Sequence, residues 1–130
     1  MTYPNTSIQS GNDNLTGIWV SIGFRSEGRA HDVIHIVGGD PASPQRAKMG
    51  FNPIYLERYD QKLSCYQGAD EILVADESVT VTLNKIGQVA LDLPQTLHFI
   101  FGTNDANFQK AKAIFVKMTT FASGRIIRVA

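Results

Sequence analysis

After Gly102 the hydrophobic period of this chain changes from two to about 3.6, and that switch restricts the folds open to it. Upstream, Ile18, Val20, Ile22 and Phe24 alternate with Trp19, Ser21 and Gly23, the pattern of a strand with one buried face. Residues 32–37 carry apolar groups on both sides and read as a strand buried on both faces, stopped by Gly38, Gly39 and Pro41. In the next run Ile54 and Leu56 point one way and Tyr55, Glu57 and Tyr59 the other. A turn at residues 60–62, where an Asp side chain can bond the backbone, leads to an antiparallel return over 63–67, and Gly68 turns the chain again. Residues 71–75 and 79–83 flank a polar turn, the second run being rich in β-branched side chains. Val89, Leu91 and Leu93 alternate after a turn at 85–87, and Leu97, Phe99 and Phe101 form the most aromatic strand candidate.

Downstream of Gly102, Phe108, Ala111, Phe115, Met118 and Ala122 recur at spacings of three and four, the stripe of an amphipathic helix. Thr103 or Asn104 is the expected cap, Asp105 suits the positive N-terminal end, and Gly124 is placed to terminate the helix. Residues 125–130 are β-branched and suit one last strand, whereas 1–14 are polar and read as a loosely attached flexible tail. Residues 45–49 are too few to assert a helix. The expectation is a single α+β domain over residues 1–130, a mostly antiparallel β-meander sheet packed against one C-terminal amphipathic helix.

Composition narrows the function classes. A hydrophobic share of 43% in 130 residues is enough for a packed core. Twelve basic and twelve acidic residues cancel, which removes the overall field that would draw a protein to nucleic acid or an anionic membrane. The cancellation is uneven along the chain. Residues 52–84 carry Glu57, Asp60, Asp70, Glu71, Asp76 and Glu77 against Arg58 and Lys62, while 103–130 carry Lys110, Lys112, Lys117, Arg125 and Arg128 against Asp105. Two solvated surfaces of opposite sign, partly facing each other, or an acidic surface for a basic partner both fit this pattern. The single cysteine excludes an internal disulfide and suits a reducing compartment. The opening segment lacks the basic start and apolar centre of a secretory signal, and no apolar run is long enough to cross a bilayer, so the expected location is the cytoplasm.

Residue types that carry chemistry are few. His31 and His35 lie four apart, a spacing that chelates a metal on a helix but separates the two by about 13 Å along a strand. His98 reads as a satisfied core or edge histidine, and Cys65 as a small buried hydrophobe without a local activating base. Gly38 and Gly39 lead into proline rather than a helix, unlike a phosphate loop. No catalytic group, metal site or cofactor is expected from these patterns. Trp19, Tyr55, Tyr59 and Tyr66 are rigid rings close to charges, the kind of side chain that anchors protein interfaces, and they equally suit covering a sheet edge.

The segments IYLERYDQ, CYQGADEILV, SVTVTL, LHFIF and DANFQKAKAIF, spread over residues 54–118, together resemble the small immunity proteins of bacterial polymorphic toxin and contact-dependent inhibition systems. The most specific part is the pair Asp60 and Gln61 after the aromatic strand, followed by Tyr66, Gly68 and Glu71. The resemblance implies a non-enzymatic cytoplasmic antidote that binds the toxic C-terminal domain of a sibling cell's toxin, often a nuclease. The partner-binding candidates are then Tyr55, Glu57, Tyr59, Asp60, Tyr66, Asp70, Glu71, Asp76 and Glu77. Two other readings stand beside it. One is a small-ligand-binding protein or enzyme with a pocket between sheet and helix that holds His98 and Cys65, and the other is a homo-oligomer joined through strand edges.

Overall fold

The computed structural model describes residues 1–4, 6–13, 17–38, 54–59, 62–119 and 126–130, with Asp13 described by its backbone alone. These residues form an α+β domain of two five-stranded sheets and two helices, mostly antiparallel. The strands are β1 (Thr2–Tyr3), β2 (Ser7–Asp13), β3 (Gly17–Ser26), β4 (Arg29–Gly38), β5 (Ile54–Arg58), β6 (Ser64–Tyr66), β7 (Ala69–Val74), β8 (Ser78–Leu83), β9 (Thr96–Ile100) and β10 (Ile127–Val129). The helices are α1 (Lys85–Leu91) and α2 (Ala106–Met118).

Strands β2 to β6 follow one another in the sheet in chain order, each antiparallel to the next, as a meander. The reversal from β3 to β4 is made at Gly28, whose φ of 82° is open to glycine at no steric cost. The other sheet, called the first sheet because it holds β1, has the order β1-β9-β8-β7-β10, in which β7, β8 and β9 are antiparallel and the two outer strands, β1 and β10, pair parallel to their neighbours. The expected single meander is therefore two sheets, and both chain ends contribute strands to the same one.

Alternation decides which faces meet. Ile18, Val20, Ile22 and Phe24 of β3, Ile34 and Ile36 of β4, and Ile54 and Leu56 of β5 point inward from the meander. Val79, Val81 and Leu83 of β8, with Leu97 and Phe99 of β9, point inward from the other sheet, and the two faces form one core. Tyr3, Phe24 and Phe99 touch across it with ring centroids 4.8 to 5.3 Å apart. Helix α2 lies against β2, β3 and β10 through Phe108, Ala111, Phe115 and Met118. Burying each of its two phenylalanines contributes about 1.5–3 kcal/mol.

Several expectations need correction. The expected free tail over residues 1–14 is overturned by its described residues: Tyr3 and Ile8 are buried and both β1 and β2 are paired. Residues 85–91 are a helix rather than a turn followed by a strand, because the Asn84 side chain accepts from Gly87 N at 3.0 Å and caps its first turn. Its Gly87 packs against the backbone of Gly68, an approach that a Cβ would block. The cap of α2 is Asp105, which accepts from Asn107 N and Phe108 N, and not Thr103 or Asn104. Helix α2 ends at Met118 with Thr119 as its cap, while Ala122 and Gly124 lie outside the described residues, as do 39–53, including the loop over 45–49. Strand β4 is buried on one face only, since Val33, His35 and Val37 are half-exposed on the other.

Candidate functional site

The outer face of the meander is a surface that no element covers among the described residues. Pairing fixes which side chains it presents. Gln9, Ser21, His35, Glu57 and Ser64 are cross-strand partners in one row, and Gly11, Trp19, Val37, Tyr55 and Tyr66 make the adjacent row. Strands stand about 4.8 Å apart, so Trp19 and Tyr55, with Val37 between them, are separated by two spacings, about 9.6 Å. The resulting shallow groove of about 630 Å³ has Val33 and Val37 as its floor.

Local geometry holds these groups in place. The Trp19 indole lies over Gly11, where any Cβ would collide with the ring, so the glycine on β2 makes room for the indole. Tyr55 and Tyr66 pack with ring centroids 5.1 Å apart and planes tilted by 51°. The Tyr55 hydroxyl donates to Glu57 Oε1 at 2.8 Å. Burial pushes the Tyr55 phenol up; its bond with Ser64 works the other way, and Glu57 reinforces the rise. Ser21 Oγ and His35 Nδ1 share a hydrogen bond of 2.5 Å. The face thus offers two walls of rings, an apolar floor and one row of polar groups containing a single carboxylate.

The sequence-derived candidates divide between the two sheets. Tyr55, Glu57 and Tyr66 come together on this face. Tyr59 follows β5 and is 55% exposed, with the Arg29 guanidinium 4.7 Å above its ring. Asp60 lies outside the described residues. Asp70, Glu71, Asp76 and Glu77 belong to the other sheet and its turn, and two of them already have cationic partners. Arg128 Nε is 3.5 Å from Glu71, and Lys112 Nζ is 3.9 Å from Asp76. The acidic middle and the basic end do partly face each other. The nine candidates are therefore not one contiguous set of a single sheet face.

Trp19 is joined here by His35, Ser21 and Gln9, which sequence reasoning did not connect with Tyr55. The out-of-phase positions of β3 and β4 were legible as alternation, but their alignment with β5 depends on register across a 15-residue connection, residues 39–53.

The remaining chemistry-bearing groups sit elsewhere. His31 and His35 both belong to strand β4, and among the described residues no three histidine, cysteine or acidic side chains gather to hold a metal ion. His98 bonds Thr80 Oγ1 through Nδ1 at 2.6 Å on the outer face of the first sheet, whereas Cys65 is on β6 of the meander, so the two do not share a pocket between sheet and helix. Burial raises the Cys65 thiol, which keeps it protonated and a poor nucleophile. No helix among the described residues is long and apolar enough to cross a membrane.

Inside the meander lies a polar cluster with no counterpart in the sequence reading. Arg58 donates to Asp32 Oδ2 from Nε at 3.0 Å and from Nη2 at 2.7 Å, and from Nη1 to the carbonyls of Leu91 and Asp92 at 3.0 and 2.7 Å. One guanidinium ties β5 to β4 and closes the C-terminal end of α1, leaving the opposite face of the same strands free to carry Tyr55 and Glu57.

No protein-family model matches this chain, and comparison with curated proteins and with solved structures gives no match.

Proposed function

We propose that this chain is a non-catalytic binding protein whose working surface is the outer face of the meander, and that its partner is the toxic C-terminal domain of a bacterial toxin. In this reading it is a cytoplasmic immunity protein that neutralises that domain, a nuclease being one such target. The observation that carries the reading is the row of Trp19, Tyr55 and Tyr66 beside Glu57 on a half-exposed face. Rings held by neighbours lose little freedom on binding and supply most of the affinity of a protein interface, with a nearby carboxylate fixing orientation. The resemblance over residues 54–118 supplies the partner class.

The experiment is co-expression with the toxin domain encoded immediately upstream, followed by purification. Rescue of growth and a stable complex are expected, and Trp19, the one tryptophan of the chain, should report binding by its fluorescence. Loss of both rescue and complex would sink the proposal. Tyr55→Ala should weaken the complex by at least about tenfold, the level expected of a central interface ring. An unchanged affinity would move the interface off this face.

A further inference from the structure

We infer that the groove between Trp19 and Tyr55 receives a cationic side chain of the partner protein, an arginine, seated beside the rings and paired with the Glu57 carboxylate. The inference rests on the binding-face reading above and adds the chemistry of the group that is bound.

Three observations converge on a cation. Glu57 is the one carboxylate lining the groove, and it is half-buried beside apolar walls, where its field is less screened than at a free surface. The lining includes an indole and a phenol, aromatic rings whose faces carry the negative lobe of the ring quadrupole and attract cations. An anionic group entering the same space would meet the carboxylate and two electron-rich faces, so charge complementarity selects the opposite sign. Tyr55 orients the acceptor: its hydroxyl donates to one oxygen, Oε1, at 2.8 Å, and a carboxylate has acceptor sites on both oxygens.

Shape selects arginine over lysine. A guanidinium is flat, stacks on aromatic faces and presents paired N–H groups to a carboxylate, whereas an ammonium is a compact, strongly hydrated point charge. Val33 and Val37 beneath it suit the methylene stem of the same side chain.

The test uses the whole chain and two small probes, Nα-acetyl-arginine methylamide and its neutral isostere Nα-acetyl-citrulline methylamide, followed by Trp19 fluorescence and by amide chemical shifts. The arginine probe should bind with saturable shifts at residues 19, 37, 55 and 57, and the citrulline probe at least about tenfold more weakly, as loss of a charge-assisted pair requires. Glu57→Gln keeps an acceptor for the Tyr55 hydroxyl and removes the charge, so it should fold with an unchanged melting temperature and lose the preference for arginine. Equal binding of the two probes, no binding of either, or an unaltered preference in Glu57→Gln would overturn the inference. The two readings fail separately. A toxin domain that binds this face, its affinity unaffected by Glu57→Gln, refutes the arginine but not the interface. An arginine-selective groove in a chain that binds no toxin domain refutes the partner but not the groove.

Discussion

The two sheets have the same number of strands and divide the chemistry unequally. The first sheet is apolar inside, and its outer face carries Thr80, Thr82, Thr96 and His98, with Glu71 already paired to Arg128. The meander holds the Asp32–Arg58 ion pair on its inner face and the row of Trp19, Tyr55 and Tyr66 on its outer one. Formal charge alone would have favoured the first sheet as the recognition surface, because most of the acidic candidates lie there. The binding face proposed above is the meander instead, where rings stay half-exposed beside a carboxylate, since surface charges that find a partner in the same chain have less left to offer another.

The largest effect that separates the sheets should come from the buried pair. Arg58→Ala leaves the Asp32 carboxylate uncompensated inside the core and strips the carbonyls of Leu91 and Asp92 of their donor. A loss of about 3–5 kcal/mol in urea unfolding is expected, the range for removing one partner of a buried pair. Replacing both partners, Asp32→Leu with Arg58→Met, should recover the part due to the lone charge, while the carbonyls of Leu91 and Asp92 still lack their donor. A double variant as unstable as the single one would show that packing around the guanidinium, and not its charge, is what the meander depends on.

The same pair gives the meander an acid limit. Burial alone would raise the Asp32 carboxyl, but hydrogen bonds from Arg58, Ser26 and Val33 N, with the Arg58 charge, outweigh it and hold the group below its ordinary value. A carboxyl that is lowered on folding contributes fully above its unfolded value, about 3.9, and that contribution disappears as pH falls through the folded value. The urea midpoint of the wild type should therefore fall more steeply below about pH 4 than that of Asp32→Asn. Parallel acid limbs in the two proteins would remove Asp32 from the account.

What the sequence made legible follows from how local each signal was. Alternation in residues 18–24 and 79–83 and the 3.6 period after Gly102 are contained in single elements, and those elements formed. Strand β2 escaped because Ile8 is its only large apolar side chain: an edge strand that holds Gly11 under an indole looks polar. Strand β1, two residues long, exists through pairing with β9 across more than ninety positions, a distance no local pattern spans. Helix α1 was mistaken because Val89, Leu91 and Leu93 alternate, whereas its determinants are the Asn84 cap and a glycine that must touch Gly68. The candidate site was half legible. Tyr55, Glu57 and Tyr66 share one hairpin, but Trp19 and His35 join them through register, and the Asp32–Arg58 contact that anchors their strands bridges 26 positions.

The smallest effect is expected where sequence charge was most conspicuous. The Glu71–Arg128 pair is 3.5 Å apart, with Arg128 side chain 73% exposed, so water screens it and both side chains give up rotamer freedom to meet. Glu71→Gln should change stability by no more than about 0.2–1 kcal/mol. Reversing Asp70, Glu71 and Asp76 together should also leave the fold intact, and any influence on a basic partner should appear as slower association at low salt, with the dissociation rate unchanged. Rim charges steer encounters, while anchored rings determine how long a complex lasts, so Tyr55→Ala should do the reverse and speed dissociation. If the triple reversal instead speeds dissociation while Tyr55→Ala leaves it unchanged, the roles assigned to the two sheets exchange, and the acidic turn of the first sheet becomes the surface that holds the partner.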